Sequence, residues 1–79
     1  MIDATDVRNA LKKILRNEEP LSWSEDFNFR LEKVDSLDHL SLAMLLEETY
    51  NVKIANEDLP KLKTIGDVIQ HVRKIQKPV

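Results

Sequence analysis

No cysteine occurs in the 79 residues, so no disulfide can be drawn and no thiolate can hold a metal. A chain without disulfides suits a reducing compartment, and the cytoplasm is the expectation. Long apolar runs are missing as well. The longest, Leu42-Ala43-Met44-Leu45-Leu46, falls far short of a membrane span or of the apolar core of a signal peptide, so no membrane insertion is expected. Strong net charge is absent too, since 12 basic and 14 acidic residues leave −2. Arg8, Lys12, Lys13 and Arg16 are scattered bases of the kind found on a solvated helix face, and they make no footprint for nucleic acid. Internal repeats, low-complexity tracts and linkers are likewise lacking, which leaves residues 1–79 as one small domain, expected to be monomeric.

What is present is enough to fold. Hydrophobic residues make up 42% and charged residues 33%, which is too apolar for a disordered chain and ordinary for a small folded domain. The charge is unevenly placed. Between Asp35 and Asp58 six acids (Asp35, Asp38, Glu47, Glu48, Glu57, Asp58) face one base, Lys53, so this block carries −5 and the rest of the chain +3. An acidic block of this kind favours basic protein partners over nucleic acid.

Apolar spacing gives the elements. Val7, Ala10, Leu11, Ile14 and Leu15 recur at threes and fours, so residues 3–16 read as an amphipathic helix capped by Asp3 and ended before Pro20. Residues 17–35 form a long first loop without glycine, with room for one helical turn at Ser22–Glu25 or from Ser24. Within it Phe27, Phe29 and Leu31 alternate with polar residues, and with no partner strand they read as an extended segment pressed on a helical core, anchored with Trp23. Residues 36–50 are the second helix, with Leu37, Leu40, Met44, Leu45 and Leu46 as its apolar stripe and Asn51 as a left-handed cap. Asn56 is a candidate cap for a short third helix limited by Pro60, with Leu59 and Leu62 inward. Thr64 and Asp67 have capping-box spacing ahead of a last helix carrying Ile65, Val68, Ile69, Val72 and Ile75, with Lys77 at its end and Pro78-Val79 as a tail. The fold class is all-α, a small four-helix bundle of three main helices and one short one.

The chemistry concentrates at Val34-Asp35-Ser36-Leu37-Asp38-His39-Leu40. Ser36 falls in the first turn of a helix, behind an Asp that can cap it, where free N–H groups and the helix dipole suit a phosphate. Asp35 and Ser36 would also serve simply to start a helix. A hydrolase built from Ser36 with His39 or His71 is weak, because His39 lies about three residues along the same helix and no oxyanion-hole signature accompanies it. Asp35 and Asp38 alone do not make a metal shell, and no metal is expected.

With these residues in place the chain resembles the acyl carrier protein family over nearly its whole length. Asp35-Ser36-Leu37 followed by Asp38 matches the family's signature at the start of the second helix. Met44, the Glu47-Glu48 pair, Tyr50, Val52-Lys53-Ile54 and Thr64-Ile65 fit the downstream frame. The resemblance implies a discrete, non-catalytic carrier whose Ser36 receives 4'-phosphopantetheine from coenzyme A, through a phosphopantetheinyl transferase. The thiol of that arm would hold acyl intermediates as thioesters and take them between enzymes of fatty acid, polyketide or a related specialised lipid pathway. Asp35 would cap the helix and help place the cofactor, and Leu37 would be an exposed contact for the transferase. Asp38, Met44, Glu47 and Glu48 would recognise partner enzymes with basic surfaces. Leu45, Leu46, Leu62 and Ile65 would line a cavity for the acyl chain. Lys33-Val34, His39 and Ser41 depart from the family's usual residues and point to a dedicated pathway. An aminoacyl carrier, or an unmodified acidic helical interaction module, are the alternatives.

Overall fold

The computed structural model describes residues 2–76, so the expectations for Lys77, Pro78 and Val79 lie outside the described residues. Three long helices carry the fold: α1 (Ala4–Leu15), α3 (Ser36–Tyr50) and α4 (Ile65–Ile75). Three short pieces link them, the 3-10 turn Glu19–Ser22, the single α turn α2 (Phe29–Glu32) and the 3-10 turn Asn56–Lys61. The all-α class with three main helices is as expected, and the long first loop is more helical than its sequence pattern implied.

α1 starts where its caps allow. Asp3 Oδ1 accepts from the Asp6 N–H and Asp6 Oδ2 from the Asp3 N–H, both at 3.0 Å, which satisfies two donors that the helix itself cannot. Its other end is set by Arg16 in the left-handed region (φ 59°), whose N–H bonds Lys12 O at 2.8 Å. The helix therefore closes before Pro20 can act, and Pro20 is instead buried in the following 3-10 turn. α1 packs against that turn, α3 and α4. Val7 and Leu11 are fully buried in the contact, each burial stabilising by roughly 1.5–3 kcal/mol.

The segment expected to be extended, Phe27 to Leu31, is corrected by the structure. The Asn28 side chain accepts from the Leu31 N–H at 3.0 Å and caps one helical turn there. The turn breaks the alternation: Phe29 is fully buried, Phe27 is half-buried, and Leu31 stands 80% exposed. Trp23 is an anchor as expected. It stacks on Phe29 (centroids 6.0 Å, planes 12° apart) and meets Phe27 at 5.1 Å, while Arg8 Nε donates to its carbonyl at 2.9 Å.

α3 has the expected bounds and caps, Asp35 Oδ1 accepting from the Asp38 N–H at 2.8 Å and Asn51 left-handed at φ 54°. Its expected apolar stripe divides between two faces. His39, Leu42, Ala43 and Leu46 are buried, whereas Leu37, Leu40 and Met44 form a ridge toward solvent. The helix is apolar on both of these faces, so spacing alone could not orient it. Asn56 is likewise not a cap but the first residue of its 3-10 turn, with Ala55 before it and no side-chain cap bond. α4 follows its sequence closely. Thr64 Oγ1 accepts from the Asp67 N–H at 3.0 Å, Asp67 Oδ2 accepts from the Thr64 N–H at 3.2 Å, and Ile65, Val68, Ile69 and Val72 are buried.

Candidate functional site

Ser36 is the first residue of α3 and is exposed. Its position follows from two local devices. Asp35 caps the helix from one side, and α2 folds Arg30 back over it from the other. Arg30 Nη1 donates to Val34 O at 3.1 Å and Nη2 donates to Ser36 Oγ at 3.0 Å. The first bond orients the guanidinium and the second sets a fixed cation against the hydroxyl oxygen. Such a group stabilises negative charge near that oxygen but has no lone pair with which to take its proton.

Arg30 was not among the residues the sequence singled out. It stands six positions before Ser36, and only the unread α2 turn brings it back. The signal was present in Asn28, a cap residue three positions before Leu31.

Beside Ser36 lies an open groove of about 600 Å³ between α2, the start of α3 and the Asn56–Lys61 turn. Leu31, Leu40, Leu59 and Pro60 give it apolar walls, and Arg30 and Lys63 line it with charge. The cavity expected from Leu45, Leu46, Leu62 and Ile65 is not what these residues form. Leu46, Leu62 and Ile65 are packed into the core at 0–3% exposure, and Leu45 lines a separate groove with Leu46, Tyr50 and α1 residues.

His39 forms the floor of the site. It is 5% exposed and its Nε2 lies 2.8 Å from Leu62 O. A carbonyl only accepts, so Nε2 carries the proton. Burial holds the His39 pKa below its ordinary 6.5, the bond to Leu62 O works against that shift, and the Arg30 charge adds to it. Its Nε2 is engaged as a donor to the neighbouring loop, which does not suit a base for Ser36. His71 lies on α4 with Nε2 3.8 Å from Asp58 Oδ2. Among the described residues no group of three or more His, Cys, Asp or Glu gathers for a metal.

The other singled-out residues divide. Leu37 is 76% and Met44 59% exposed, and Glu48 is exposed beyond them. Asp38 is half-buried beside the cap. Glu47 is half-buried and accepts from the Ile54 N–H at 2.7 Å, so one of its oxygens holds the link after α3. Among the described residues no helix is long and apolar enough to cross a membrane.

A sequence profile described as the phosphopantetheine attachment site matches residues 5–72. The chain belongs to that family, the acyl carrier proteins. Members are carriers, generally without catalysis of their own, and their working group is phosphopantetheine. Curated relatives named meromycolate extension acyl carrier protein are 41% identical over 44 residues, or 56% of this chain. That stretch is 45% of the protein from Mycolicibacterium aurum, 44% of that from Mycolicibacterium smegmatis and 38% of that from Mycobacterium leprae. The chain thus matches less than half the length of these relatives. The surroundings of Ser36 fit a phosphate-linked arm on this carrier: an exposed primary hydroxyl, an arginine on its oxygen, and an open groove alongside.

Proposed function

We propose that this acyl carrier is loaded at Ser36. The single observation that carries this reading is an exposed serine hydroxyl in the first turn of α3, within the matched residues 5–72. Loading is phosphoryl transfer. Ser36 Oγ attacks the phosphorus that bears the pantetheine in coenzyme A, a P–O ester forms, and the pyrophosphate link breaks to release adenosine 3',5'-bisphosphate. A phosphopantetheinyl transferase supplies the base that takes the hydroxyl proton, because the group on Ser36 Oγ here is a donor. The thiol at the end of the arm then holds an acyl group as a thioester.

Asp35 sets the angle at which Ser36 is offered, and Leu37 and Met44 meet the transferase and later enzymes. Asp38 and Glu48 steer basic partners toward this face, with Glu47 contributing its free oxygen. The relatives' name speaks of meromycolate extension, and a carrier acting in a lipid-extending pathway of the cytoplasm is the reading we adopt. Intact-mass measurement after incubation with coenzyme A and a broad-specificity transferase tests it. The wild type should gain one phosphopantetheine and Ser36→Ala none. A folded wild type of unchanged mass would instead fit an unmodified interaction module.

A further inference from the structure

We infer that Arg30 is the clamp for the phosphodiester at the base of the arm and sends that arm into the groove beside α2. The inference deepens the proposal above and rests on Ser36 as the attachment point. Arg30 donates through Nη2 to Ser36 Oγ at 3.0 Å and is braced by Nη1 on Val34 O at 3.1 Å. Loading converts that oxygen from a hydroxyl into a bridging ester oxygen, with two non-bridging phosphate oxygens, sharing one negative charge, on the phosphorus bonded to it. A guanidinium already positioned on the bridging oxygen needs only a small rotation to donate to them. The neutral hydrogen bond then becomes a charge-assisted one, with the forked geometry that matches phosphate.

The neighbourhood favours such a cation. Asp35 and Asp38 flank Ser36 on α3 and repel a third negative charge. Lys33, the other base in this segment, is engaged with Glu19 at 3.0 Å. Arg30 stands between the two surroundings, lining both the groove beside Ser36 and the surface formed with Asp35 and Asp38. Repulsion by the two carboxylates favours the side of Arg30 that faces Leu31, Leu40 and Leu59. The outward ridge of Leu37 and Met44 is thereby left free for enzymes while the arm is at rest.

The test uses the full chain, loaded with phosphopantetheine, as wild type, Arg30→Lys and Arg30→Gln. Intact mass first establishes one arm on each. The ³¹P resonance of the arm and the side-chain N–H resonances of Arg30 are then compared in unloaded and loaded protein. The expected result is that the wild-type Arg30 resonances shift on loading. The wild-type ³¹P signal should also be displaced from that of Arg30→Gln, with Arg30→Lys between them, and the displacement should shrink as salt is raised. Coincident ³¹P signals in fully loaded wild type and Arg30→Gln would overturn the clamp and leave Ser36 as the attachment point. A wild type that takes no arm would overturn both. Should a variant fail to fold, unmoved Arg30 resonances in the loaded wild type would refute the clamp by themselves.

Discussion

Replacing His39 removes a buried side chain that hydrogen-bonds from α3 to the segment leading into α4. The ring is 5% exposed, meets Phe29 at a centroid distance of 6.4 Å, and donates through Nε2 to Leu62 O at 2.8 Å. His39→Ala leaves that carbonyl without its partner, a cost of about 1–3 kcal/mol, and opens a void under Phe29. The total should be about 3 kcal/mol, which at ~4–8 °C per kcal/mol is a fall in Tm of roughly 12–24 °C for a domain of this size. His39→Gln, whose amide nitrogen can reach the same carbonyl, should recover part of it.

The pH dependence is the sharper test. Folding lowers the His39 pKa from 6.5, so below that value the unfolded chain binds the additional proton and the fold is penalised. The stability from keeping His39 neutral is complete above about pH 6.5 and is lost as pH falls through 6.5 toward the lower folded value. Urea denaturation of wild type, His39→Gln and His71→Gln between about pH 8 and pH 5 reads this directly. The fall in stability on acidification should be shallower in His39→Gln, with His71→Gln serving to separate the chain's other histidine. An unchanged slope in His39→Gln would refute the argument that burial governs this ring.

Three further outcomes follow from the same geometry. Thr64→Ala removes one side of the α4 capping box and should lower stability by about 1 kcal/mol in a urea titration. Gly66 lies in the first turn of α4, where an added Cβ would meet Glu25 O at an ordinary 3.4 Å, so Gly66→Ala should raise stability by roughly 0.5–1 kcal/mol. Leu37→Ala and Met44→Ala trim side chains that are 76% and 59% exposed. Melting should move by less than about 0.5 kcal/mol equivalent, while transferase kcat/KM on the variant carriers falls.

At the three long helices the chain signals each start by its cap. Asp3, Asp35 and Thr64 each accept from the backbone three residues on, and such caps are short-range chemistry that a linear sequence carries in full. Orientation is another matter. α3 is apolar on two faces, and the buried one carries His39, which meets Phe29 of α2, the element that the alternating Phe27, Phe29 and Leu31 concealed. The same concealment hid Arg30. His39 read only as a departure from the family's usual residue because its partner, Leu62 O, is 23 positions away. The helix start at Ser36 was legible because it needs only the Asp35 cap, whereas the surroundings of that serine are made by contacts that the order of residues does not display.

Trp23 is the chain's single tryptophan, and its position makes the protein carry its own optical gauge. The indole is 7% exposed, stacked on Phe29, and Phe29 in turn meets His39, three residues beyond the serine. One emission band therefore samples the loop that covers the start of α3, with no second indole to blur it. A blue-lying band marks that loop as docked, and a band moving to longer wavelength marks it lifting away. Arrival of a transferase, attachment of an arm or titration of the histidine beneath can each be followed in real time without adding a label to a surface that partners must read.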